Sequence, residues 1–165
     1  MDKTAHEAGA TGWVLHFQAL FTRKTTMAPT LDILKPVFVL AMWTSWVLLL
    51  IPIARIRAAR RREVVADDFK YGESAAVPAQ VALPNRNYMN LLELPLLFYV
   101  ACLILYVTAS ATPLLTTIAW VYVALRVVHS IIHLSYNHVI HRLLAFALSN
   151  FVLVTLWILT AVRIF

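Results

Sequence analysis

The sequence predicts an all-α fold, an integral membrane bundle of four helices. Three observations lead there. The 165-residue chain is 61% hydrophobic and only 13% charged, whereas soluble domains are about half apolar and a quarter charged. Its mean hydropathy is +0.76. The apolar residues fall in four continuous runs rather than in alternation, which argues against a membrane β-barrel, and 3 glycines are too few for a loop-rich β fold. A chain of this length has room for one compact bundle and no separate soluble domain. The net charge of +6 belongs to the flanks of the spans, where it sets topology and meets anionic lipid head groups. No nucleic-acid partner is expected.

Residues 1–30 form an N-terminal extension. Trp13, Val14, Phe17, Leu20 and Phe21 suit a short amphipathic helix lying in the membrane interface, and a disordered extension ahead of Met27 is the other reading. Residues 31–165 form the membrane domain. The first span covers about 33–53, and its 21 residues reach across about 31 Å. Trp43 and Trp46 sit mid-span and read as packing residues. Pro52 and the cluster Arg55, Arg57, Arg60, Arg61 and Arg62 end the span. A mixed-charge, proline-containing loop is expected over 54–86.

The second span covers about 87–108, and Cys102 within it reads as a small buried hydrophobe. Pro113 is well placed in the first turn of the third span, about 113–136. A polar bend follows at 137–142, and the fourth span covers about 143–163. Four spans put both termini on one side. Eight basic residues lie on the side of the first and third loops and five on the terminal side, so loops 54–86 and 137–142 are expected in the cytoplasm.

The polar residues of the spans gather at that cytoplasmic end. Arg86 and Asn90 are four apart and Asn90 and Glu93 three apart, which lines one helical face at the mouth of an apolar run. Arg126 lies about 12 Å inside the end of the third span. An arginine at that depth costs about 2.5–3.5 kcal/mol unless it is partnered. Glu93 is the only carboxylate available in any span, so an Arg126–Glu93 ion pair is one reading. The other takes Arg86, Asn90, Glu93, Arg126, His129, His133, Tyr136 and Arg142 as a site for a small molecule carrying both signs of charge. Arginines would hold carboxylates or a thiolate, Asn90 a peptide group, and Glu93 an ammonium. Glutathione has those groups. His129 and His133 are four apart, His138 and His141 three apart. Such pairs also occur in metal and haem sites, but four histidines are few for a membrane di-iron centre, and no metal is expected.

The run Arg86-xxx-Asn90-xx-Glu93-x-Pro95 resembles the signature of the MAPEG family, the membrane-associated proteins of eicosanoid and glutathione metabolism. The segment from Arg126 through His129 and His133 to Leu134, with Arg142 sixteen residues after Arg126, is similar to that family's third span and the arginine after it. The resemblance implies a four-helix subunit in a homotrimer, here of a bacterial inner membrane. Glutathione would lie between subunits near the cytosolic face and be conjugated to lipophilic electrophiles or used to reduce lipid hydroperoxides. It also implies that Arg86, Asn90 and Glu93 bind the tripeptide and that Arg142 stabilises its thiolate. Two positions depart from the pattern: His133 stands where many members have tyrosine, and Pro95 comes two residues after Glu93 rather than three. Members that bind lipid without catalysis make a membrane scaffold the alternative reading.

Overall fold

A computed structural model describes residues 30–165. The interfacial or disordered reading of the N-terminal extension lies outside the described residues. Helix α1 (Leu34–Arg60) follows a short 3-10 turn at Leu31–Ile33, and a second such turn covers Ala66–Phe69. Then come α2 (Ala79–Leu92), α3 (Leu94–Val107), α4 (Pro113–Leu134) and α5 (Val139–Ile164). Helices α2 and α3 together make one apolar unit, so four units of 22 to 30 residues are each long enough to cross a membrane. The protein is an integral, multi-pass, all-helical membrane protein.

The core lies between these helices. Leu40 and Val47 of α1, Phe98, Cys102 and Leu105 of α3, Ala119 and Tyr122 of α4, and Leu156 of α5 are buried together. Phe98 and Tyr122 stack with ring centroids 4.6 Å apart. Cys102 is a free, buried thiol, packed as a small hydrophobe. The outward faces carry exposed Phe38, Met42, Leu49, Phe151 and Val162, the composition that hydrocarbon tails require. Thr112 caps α4 by accepting the Leu115 N–H at 3.3 Å, and Pro113 occupies the first turn as its fixed φ favours.

Two boundaries differ from those read in the sequence. The loop expected over 54–86 is only 61–78, because α1 continues through Pro52 to Arg60 and α2 begins at Ala79. Prolines inside membrane helices are tolerated where the freed backbone groups find other partners. Here a small second core of Ala58, Val64, Val77, Val81 and Ala82, covered by Phe69, holds the two extra helical segments together. Likewise the bend expected at 137–142 closes earlier, and Arg142 stands in the first turn of α5.

The second span is also interrupted. Glu93 has φ −73° and ψ −91°, which separates α2 from α3. Pro95 lacks an N–H for the Leu91 carbonyl, and its ring would clash with that carbonyl in a straight helix. The chain therefore bends at the glutamate, and the main-chain oxygens before the bend need other donors.

Candidate functional site

The inward face of α4 is unusually polar. Arg126, His129, Ser130 and His133 are all buried on it. Their separations of three, four and seven place them on one stripe. Two of them each make one hydrogen bond to α2. Asn87 donates from Nδ2 to Ser130 Oγ at 2.5 Å. Arg126 donates from Nη2 to the main-chain carbonyl of Asn90. That carbonyl lies in the last turn before the Glu93 bend, where an uninterrupted helix would offer it the N–H four residues on. The Arg126–Glu93 ion pair, one of the two readings of the sequence, is not formed. Glu93 is exposed, and the ion pairs among the described residues are Asp32–Lys35, Arg55–Glu73 and Arg61–Glu63. The buried arginine keeps Nε and Nη1 without a hydrogen-bond partner, and the ring of Phe146 lies beside it, its centroid 5.5 Å from the guanidinium carbon.

Beside this stripe is a cavity of about 260 Å³, lined by Asn90, His129, His133, Val139, Arg142, Leu143 and Phe146. His129 and His133 meet edge to face at 5.9 Å. Arg142 reaches across the turn between α4 and α5. Its Nη1 donates to Asn137 Oδ1 at 2.8 Å and lies 3.4 Å from His133 Nε2. A guanidinium only donates, so in this contact His133 Nε2 can serve only as the acceptor.

Four of the eight residues read from the sequence thus share one cavity: Asn90, His129, His133 and Arg142. Arg126 does not line it but lies behind it, fully buried, bonded to one lining residue and over the ring of another. Arg86 and Glu93 are exposed and line none of it. Tyr136 is 61% exposed and its hydroxyl pairs with His141 Nδ1 at 3.2 Å, outside the cavity. Sequence reasoning passes over Phe146, Val139 and Leu143, which have no polar signature. It also passes over the structural pair Asn87–Ser130, although both lie inside the motifs that draw attention. Among the described residues, no group of three or more His, Cys, Asp or Glu side chains could hold a metal ion.

An apolar groove of about 500 Å³ runs along α1 and α4, lined by Phe38, Val39, Met42, Trp43, Trp46 and Val127. Val127 follows Arg126 directly on α4, so groove and polar stripe occupy neighbouring faces of one helix.

Four membrane-length helices with a basic, imidazole-lined cavity near one end define a multi-pass membrane protein of four-helix type. The chain belongs to the MAPEG family, whose sequence model matches residues 33–162. Membership supports, at family level, a membrane function in the glutathione-related transferase and peroxidase group. No curated protein and no solved structure matches the chain.

Proposed function

We propose that this protein is a glutathione-dependent membrane transferase or peroxidase that stabilises the glutathione thiolate for attack on a lipophilic electrophile or lipid hydroperoxide. One observation carries the reading. Arg142 and Asn90, which come from two separate motifs, line the same cavity with two imidazoles beside them. The thiolate, not the thiol, is the nucleophile, and an ordinary thiol pKa near 8.5 leaves only a few per cent ionised at neutral pH. Lowering that pKa by two units takes about 2.7 kcal/mol. A charge-assisted hydrogen bond from Arg142, in a cavity walled by Leu143 and Phe146, is of the right strength.

Asn90 offers a side-chain amide to a peptide group of the ligand. Arg126 acts through Asn90, by holding the backbone of that residue. Arg86 and Glu93 are exposed on and just beyond α2, and a carboxylate bordering an apolar span needs a partner. In a homotrimer they meet the tripeptide at the seam with an adjacent subunit, the arginine taking a carboxylate and the glutamate the ammonium. His129 and His133 line the wall next to the thiol, and Tyr136 lies at the periphery. The lipophilic partner arrives through the bilayer, and the groove between Phe38 and Val127 gives it an apolar path along α4. The basic loop after α1 and the turn at Asn137 face the cytoplasm, where glutathione is abundant, and the membrane is a bacterial inner membrane.

Ultraviolet titration of the detergent-purified protein with glutathione tests the reading. A saturable thiolate band that Arg142→Ala removes, with glutathione still bound, is the expected result. No binding at millimolar glutathione would instead favour the lipid-binding scaffold reading.

A further inference from the structure

The turn between α4 and α5 has a feature that neither the helices nor the cavity requires. Asn137 stands in the left-handed region, with φ +46°. Asparagine tolerates that conformation better than any other residue except glycine. Its own N–H donates to the Ile132 carbonyl at 2.8 Å and so closes the end of α4. Backbone closure alone would be served by glycine. The side chain does something else: its Oδ1 accepts Nη1 of Arg142 at 2.8 Å. His133 Nε2, one helical turn back on α4, approaches the same Nη1 at 3.4 Å.

We infer that Asn137, assisted by His133, is a positioning residue that fixes the guanidinium of Arg142 for the ligand's sulfur. This rests on the reading of Arg142 as thiolate stabiliser. A guanidinium has five N–H donors in a rigid fork. Both protein acceptors take Nη1, which leaves the Nε–Nη2 edge with its two parallel N–H groups free for an anion. An edge of that kind is the one that binds anionic groups in a fixed plane. Without its side-chain acceptor Arg142 is a mobile cation at the start of α5, and part of its interaction with a thiolate is lost to ordering the side chain. Phe146 and Leu143 close the apolar side of the same cavity, so the guanidinium has no polar alternative on that wall.

The variants Asn137→Gly and Asn137→Asp test this in the full-length detergent-purified protein. Glycine keeps the left-handed turn and removes the acceptor. Aspartate restores an oxygen acceptor at the same place. With glutathione bound, the midpoint of the thiolate titration is expected to rise by about one pH unit in Asn137→Gly. In Asn137→Asp the added negative charge itself opposes a thiolate. The rescue is read there instead from the reactivity of Arg142 toward a guanidinium reagent, which is expected to return toward the original value. A purely structural loss would lower unfolding temperature and glutathione affinity without that rescue pattern. An unchanged midpoint in Asn137→Gly, or an Arg142 reactivity raised equally in both variants, overturns the inference. A second readout does not depend on glutathione. Phenylglyoxal modifies free guanidinium groups, and mass spectrometry follows each site. Arg142 is expected to react several-fold faster in Asn137→Gly, while exposed Arg60 reacts at the same rate in both proteins. If the unmodified protein shows no thiolate band, the Arg142 reading itself fails, and the modification rate alone decides whether Asn137 holds the side chain. An equal rate at Arg142 overturns it there too.

Discussion

Two helix interruptions in this molecule are each answered by an arginine, and they are answered in opposite ways. At the Glu93 bend the arginine comes from another helix and is fully buried: Arg126 gives a hydrogen bond to the Asn90 carbonyl and lies over Phe146. At the Asn137 turn the arginine is local and half-buried: Arg142 is held by two side chains on one nitrogen and faces a cavity. The first arrangement commits the guanidinium to the fold. The second orients a guanidinium toward a cavity, so its free donors can reach a ligand, whereas the unpartnered Nε and Nη1 of Arg126 are buried. Burial depth alone would rank Arg126 as the more unusual charge, yet it is the shallower Arg142 that lines a cavity.

The contrast breaks most sharply under substitution. Arg142→Ala is expected to raise the thiolate midpoint by about two pH units, about 2.7 kcal/mol. It should cost no more than about 1 kcal/mol of stability, since only the bonds to Asn137 and His133 are lost. Arg126→Met should do the reverse. Methionine fills the volume of the arginine stem but leaves the Asn90 carbonyl without its donor, so stability should fall by about 1–3 kcal/mol. Reversible unfolding in detergent, read beside the glutathione titration, separates the two. If the Arg126→Met variant keeps its stability and loses only its thiolate band, Arg126 touches the ligand after all.

How far these roles are legible in the sequence follows from the same pair. The spans and the stripe at Arg126, His129 and His133 are carried by spacing and hydropathy, which sequence displays directly. That Arg142 and Asn90 lie at one end follows from the span topology, and their shared role is what the family resemblance implies. The partner of Arg126 is not, because it is a main-chain oxygen made available by a bend. An inventory of side chains points to Glu93, the one carboxylate in any span, and the backbone supplies the acceptor instead. Pro95 is visible, but a proline two residues into a helix is a favourable position and does not by itself announce that the preceding helix stops. The true length of the first loop is hidden for a related reason. Pro84, Asn85 and Arg86 read as connection, whereas Val77, Val81 and Ala82 pack on Ala58 and Val64 and keep the segment helical.

A smaller effect sharpens the account of α4. Ser130→Ala leaves the Asn87 amide without its acceptor in a buried place. Side-chain hydrogen bonds between membrane helices are worth about 0.6 kcal/mol on average, and a loss of that order is expected, with the thiolate titration unmoved. If the titration shifts as much as it does in Asn137→Gly, the α2–α4 contact also positions the cavity wall.

The smallest effect concerns Tyr136, which the residue pattern groups with the ligand-binding set. Its hydroxyl is engaged by His141 Nδ1 at 3.2 Å, and the side chain is 61% exposed. Removing one hydroxyl from such a surface pair should change stability by no more than about 0.5 kcal/mol. Tyr136→Phe should therefore leave both glutathione affinity and the thiolate midpoint where they were. The cavity wall ends at Val139 and Arg142, on the other side of the turn from Tyr136, so a ligand confined to it has no reason to touch the phenol. A clear loss of affinity in Tyr136→Phe would mean that the bound molecule extends past Arg142 over the turn. The comparison would then change, because the Asn137 turn would be part of the ligand's own contact surface as well as the support for its arginine.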